Sequence, residues 1–142
     1  MRDKKRVVVV AAFVLVSASS WLNSAALTDA DLHNRVVLLD FWAAWCGPCV
    51  RNLPKMQSLA QSFKGKPFTL IGVHYNAAPA HVAPYLRDQG VTFPIAIDTG
   101  DTFRRYEIKH FPTYVLIDRQ GMVVRVADEP PSPELISALL DD

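Results

Sequence analysis

Cys46 and Cys49 are the only cysteines in the chain, separated by Gly47 and Pro48. A pair at this spacing can be half of a zinc site, a structural staple or a reversible dithiol–disulfide couple. Zinc asks for about four ligands. The other donors do not supply them, because the histidines at 33, 74, 81 and 110 show no His-x₃₋₅-His spacing. A staple acts mainly by closing a long loop, and this bridge would enclose almost none. Redox exchange is the chemistry left to the pair. An apolar run ending at Phe41 precedes the cysteines and a helix-periodic stretch follows them, so Cys46 is expected at a helix N-terminus. Unpaired N–H groups and the helix dipole favour a thiolate there. Cys49, one turn further in, falls on the apolar stripe of the same helix. The pair then offers an exposed nucleophile and a sheltered resolving thiol. Cys46 would attack a substrate disulfide, and Cys49 would attack the resulting mixed disulfide to release the reduced product.

These positions need elements to hold them, and from residue 36 onward strand-like and helix-like segments alternate in the manner of an α/β domain. Val36 to Phe41 is apolar except for Asp40, as a central strand covered on both faces requires. Cys49, Leu53, Met56, Ala60 and Phe63 then recur at spacings of four, three, four and three, which predicts a helix. Residues 68–74 read as a second buried strand and residues 80–89 as a helix with Val82, Tyr85 and Leu86 facing inward. Residues 93–97 read as a short strand and 101–106 as a short helix. Residues 113–117 and 122–126 flank a turn ending in Gly121 and predict a hairpin. Ser132, Pro133 and Glu134 carry the N-cap, first-turn proline and first-turn acid of a closing helix.

The chain has 142 residues, half of them hydrophobic and a fifth charged, which suits one packed domain. A net charge of +1 gives no reason to expect nucleic acid as a partner. The charge is uneven, however. Arg2, Lys4, Lys5 and Arg6 precede the apolar run 7–16, and small residues follow it. Those are the parts of an export signal, with cleavage expected after Ala18 or Ala26, or of an uncleaved membrane anchor. The organisation expected is a signal peptide or anchor over 1–26 and a folded domain over 27–142, working in the bacterial periplasm or a similar oxidising space.

The stretch Asp40-Phe41-Trp42-Ala43-Ala44-Trp45-Cys46-Gly47-Pro48-Cys49 resembles the active site of thioredoxin-fold oxidoreductases. Pro54 resembles the helix-kinking proline of that family, and Phe111-Pro112-Thr113 its cis-proline element. A helix–strand–helix stretch over about 78–108, together with Phe93-Pro94-Ile95, Asp98, Tyr106, Leu116-Ile117-Asp118 and Gly121, is similar to the TlpA/ResA branch of exported or tethered disulfide reductases. The resemblance implies a thioredoxin fold: a central mixed sheet flanked by helices, with that insertion placed before a cis bond at Pro112. It implies that Trp45, Phe111, Pro112 and Thr113 receive the substrate, with Gly47, Pro48 and Asn52 around the dithiol. Two departures matter. Asn52 stands where many members of the branch have a glutamate, and it cannot take up a proton near neutral pH. Asp40 matches the buried aspartate of thioredoxin itself, so the general acid/base role falls to Asp40. Only about ten residues separate Ala26 from the first strand, so the hairpin with which the branch usually opens is not expected here.

The resemblance also implies the partners: protein thiols and disulfides as substrates, apocytochrome c among them, and a membrane protein as electron donor. A monomer without metal or cofactor is expected. Gly47-Pro48 is the dipeptide of thioredoxin, whose potential is about −270 mV, and this favours a reductase. The competing readings are a disulfide oxidant or isomerase of the same fold, and a binding module whose cysteines are incidental.

Overall fold

The computed structural model of the protein describes residues 16–142. Six strands form one mixed sheet: β1 (Ser20–Leu22), β2 (Val36–Trp42), β3 (Phe68–Tyr75), β4 (Ile95–Asp98), β5 (Thr113–Ile117) and β6 (Val123–Ala127). Five helices join them: α1 (Asp29–Leu32), α2 (Gly47–Ser62), α3 (Pro79–Asp88), α4 (Asp101–Arg105) and α5 (Pro133–Leu140). The strand order is β1-β4-β3-β2-β5-β6. β2, β3 and β4 run parallel, whereas β1, β5 and β6 pair antiparallel with their neighbours. β2 is central and every one of its residues is buried. Its side chains alternate between two cores, one under α2 with Val36, Leu38 and Trp42, the other with Val37, Leu39 and Phe41. The expected helix–strand–helix insertion is present as α3, β4 and α4.

The N-terminal boundary needs correction. Val16 is 5% exposed, Ser17 N–H donates to Thr102 Oγ1 at 2.7 Å, and Ser19 N–H donates to Ile97 O at 2.8 Å. β1 then pairs with β4 over Ser20↔Ile97, Trp21↔Ala96 and Leu22↔Ile95. The packed domain therefore takes in residues 16–26, not only 27 onward, and cleavage after Ala26 would strip an edge strand from the sheet. Three residues are too few to show strand periodicity, and the neighbouring apolar run drew the whole stretch into the leader. That run, apart from Val16, lies outside the described residues.

Two smaller corrections concern the insertion. Tyr85 is 40% exposed, while Val82 and Leu86 are buried, because α3 spans ten residues and presents only a narrow stripe. β4 begins at Ile95, with Phe93 buried in the connection before it. Gly72 on β3 marks a close approach that matters for the site. A Cβ built there would meet Ile95 Cδ1 at 2.7 Å and Trp42 Nε1 at 3.1 Å, so the missing side chain makes room for the Trp42 indole.

Candidate active site

The topology gathers the chemistry-bearing residues at one end of the sheet. β2 ends at Trp42 opposite His74, one residue before the end of β3, while β5 begins with Thr113 opposite Phe41. The turn Ala43–Trp45 leaves β2 here and delivers Cys46 to α2 as its N-cap, in extended backbone geometry. Cys46 N–H donates to Ala43 O at 3.0 Å, and Val50 N–H donates to Cys46 O at 3.1 Å. Pro48 is pre-set for the first turn of the helix, and that turn carries no acid to oppose a thiolate.

Cys46 and Cys49 form a disulfide with a Cα–Cα distance of 5.3 Å. Cys49 N–H also points at Cys46 Sγ, 3.3 Å away. The two sulfurs differ in access, since Cys46 is half-buried and Cys49 is 1% exposed. One sulfur is thus open to a second molecule and the other is sheltered by the protein. Trp45, immediately before the pair, is 65% exposed and is the largest apolar surface at this end. Gly47 and Pro48 are exposed beside it.

Asp40 lies beneath this helix. It sits two residues before Trp42 on β2 and opposite Tyr114 on β5, on the face of the sheet that α2 covers. It is 1% exposed, and its Oδ1 has no hydrogen-bond partner among the described residues. Burial alone pushes its carboxyl up to about 8. Among the described residues no lysine pairs with it, so a buried acid with a raised pKa stands under the dithiol helix.

Asn52 is not idle. Its Nδ2 donates to Tyr114 Oη at 2.9 Å and ties α2 to β5 one turn beyond Cys49. The Tyr114 hydroxyl is held above the ordinary tyrosine range, first by burial and then by the negative charge of Asp40. Sequence reading missed Tyr114. Its signal was the hydroxyl itself, which demands a partner inside an otherwise apolar strand.

The Phe111–Pro112 peptide is cis. Pro112 is buried, and Thr113 Oγ1 donates to His110 O at 2.7 Å, which folds the segment back just before β5. The Phe111 ring lies 5.7 Å from Phe103 and 6.4 Å from Tyr75, centroid to centroid. A half-open aromatic floor thus continues from the cis-proline segment to the end of β3. Beside it, Tyr75, Phe103, Arg104 and Lys109 line a shallow cleft of about 400 Å³. A larger one, about 660 Å³, lies between Arg35, Phe63, Lys66 and Phe68 at the opposite ends of β2 and β3. It lies at the end of these strands away from the cysteines.

Sequence comparison agrees with this architecture. A family model described as Redoxin matches residues 5–140. The thiol-disulfide oxidoreductase ResA of Bacillus subtilis (strain 168) is 30% identical over 105 residues, 73% of this chain and 59% of the relative. Protein DipZ of Mycobacterium tuberculosis (strain CDC 1551 / Oshkosh) is 31% identical over 141 residues, 90% of this chain and 20% of the relative. The chain thus spans about three fifths of the one and a fifth of the other. The crystal structure of a thiol:disulfide interchange protein, a thioredoxin family protein from Chlorobium tepidum TLS, superposes with a TM-score of 0.72 at 26% identity. The match covers 80% of this chain and 86% of that one. The mixed sheet and its flanking helices are a thioredoxin-like fold.

Proposed function

Because this chain belongs to the Redoxin family, within its TlpA/ResA-like thioredoxin branch, we propose that it is a thiol–disulfide oxidoreductase that reduces disulfides of exported proteins. One observation carries the reading: a half-buried Cys46 at the N-terminus of α2 is bridged to a buried Cys49 one turn away.

In the reduced protein the Cys46 thiolate attacks one sulfur of a substrate disulfide. A Cys46–substrate bond forms and the first substrate thiolate leaves. Cys49 then attacks Cys46 Sγ, the second substrate thiolate leaves, and two electrons have passed from the dithiol to the substrate. Cys49 must lose a proton to do this. Asp40, on the sheet face under α2, takes that proton and returns it in the reverse direction. Asn52 holds Tyr114 in place and does not itself titrate. Trp45 supplies apolar docking surface, and Phe111, Pro112 and Thr113 form the edge along which the substrate chain lies.

The basic and apolar N-terminal segment supports export or tethering, with the active domain in the periplasm. Among the described residues no helix is long and apolar enough to cross a membrane. In such an oxidising space the pair needs a steady electron supply, and a membrane protein is the fitting donor for a monomer of this kind. Apocytochrome c is among the substrates that the branch suggests.

The reading is tested by following dithiol-driven reduction of insulin with catalytic amounts of the full chain. Acceleration over dithiol alone is expected, with none from Cys46→Ser. If wild type and variant match the uncatalysed rate, the pair does not turn over and the function is wrong.

A further inference from the structure

His74 is the last residue but one of β3 and lies directly beside Trp42, the last residue of β2. Its side chain is fully buried, yet both ring nitrogens are engaged. Ala44 N–H donates to Nε2 at 2.8 Å, and Nδ1 lies 2.6 Å from the carbonyl oxygen of Tyr75. One tautomer satisfies both contacts. A carbonyl only accepts, so Nδ1 carries the hydrogen, and Nε2 keeps its lone pair for Ala44. Burial holds the imidazole below the ordinary histidine range, in keeping with a neutral ring. The ring also packs edge-on against Trp42 and Trp45, with centroids at 4.7 and 5.5 Å and planes at 84° and 86°.

Ala44 is the middle residue of the turn between β2 and Cys46. That turn is pinned at its far side by the bond from Cys46 N–H to Ala43 O and at its centre by His74. One buried side chain from a neighbouring strand therefore grips both the backbone that delivers the nucleophile and the exposed indole next to it. We propose that His74 is a positioning residue for disulfide exchange: its bare Nε2 fixes the Ala43–Trp45 turn, and the turn sets where Cys46 Sγ and the Trp45 ring meet a substrate. The proposal rests on the exchange function assigned to Cys46–Cys49, so its test includes readouts that need no substrate.

His74→Leu and His74→Gln are compared in the full chain. The glutamine side-chain oxygen reaches close to the place of Nε2 and can accept from Ala44 N–H, whereas leucine fills space and accepts nothing. In His74→Leu, KM for a protein disulfide should rise about tenfold with kcat changed less than about threefold, as for a displaced docking surface. His74→Gln should stay within about threefold of wild type in both constants. Acrylamide quenching of Trp45, isolated by subtracting the Trp45→Phe form of each protein, should increase in the leucine variant and not in the glutamine variant. Leucine and glutamine variants that behave alike, whether both sound or both impaired, would reduce His74 to packing and overturn the proposal.

A leucine variant that does not fold leaves the wild type to decide. Its imidazole ¹⁵N spectrum should show a protonated Nδ1, a bare Nε2 and coupling from Nε2 to the Ala44 amide. A protonated Nε2 overturns the proposal. A wild-type protein that exchanges no disulfides would remove the proposed function, while quenching and tautomer would still decide whether His74 holds the turn.

Discussion

Replacing Cys49 by alanine should stop the cycle halfway. With the reduced variant as sole reductant, Cys46 still attacks a substrate disulfide, but no second sulfur stands behind it to release the product. The mixed disulfide then accumulates, visible by mass as the protein plus one substrate chain and removed by added dithiol. Release of fully reduced substrate should fall by at least about a thousandfold, because the two sulfurs act as one unit. The burial contrast predicts the asymmetry between the cysteines. Cys46→Ala leaves only a thiol that is 1% exposed, so it should capture no substrate at all. Equal trapping by both variants, or ordinary turnover by Cys49→Ala, would show that the roles are misassigned.

Asp40→Asn should have opposite effects on rate and stability. Folding lifts this carboxyl from 3.8 to about 8. Below pH 3.8 the folded and unfolded chains both hold the proton, and ionisation of the residue costs no stability. Between 3.8 and about 8 the unfolded chain ionises while the folded one does not, so stability declines as the pH rises. Above about 8 both are ionised and the full cost remains, on the order of 5 kcal/mol. Measured on the oxidised protein, the stability of Asp40→Asn relative to wild type should improve by several kcal/mol from pH 4 to pH 9, as read by denaturant unfolding. Resolution by Cys49 should slow by about a hundredfold and lose its inflection near the pKa of Asp40. A stability difference that ignores pH would mean that Asp40 is not a buried acid. An unchanged rate with the expected stability profile would leave it outside the proton transfer.

The dithiol was legible in the sequence because its requirements are local. Cys46 lies at the end of an apolar run and Cys49 on a helix stripe, so spacing alone yields one accessible and one sheltered sulfur. The burial of Asp40 was legible for the same reason, as the one acid in a strand apolar on both faces. What escaped depends on partners distant along the chain. His74 reads as a strand-end histidine until Ala44, thirty residues earlier, is seen to donate to it. Tyr114 reads as one more core aromatic until Asn52 reaches its hydroxyl across 62 residues. β1 escaped because its three residues owe their strand geometry to β4, not to any pattern of their own. Tyr85 was placed inward by periodicity, which cannot tell how wide a face a ten-residue helix will bury.

Cys46 and Cys49 should form a reversible couple poised for reduction. The direct measurement is its equilibrium reduction potential in the full chain, read by mass after thiol alkylation across a series of dithiol buffers. A single two-electron transition is expected at about −250 mV or lower, near thioredoxin and far from a dedicated oxidant. A transition above about −180 mV would reverse the direction of electron flow and make the protein an oxidant or isomerase. A pair that shows no reversible exchange would contradict the redox account itself.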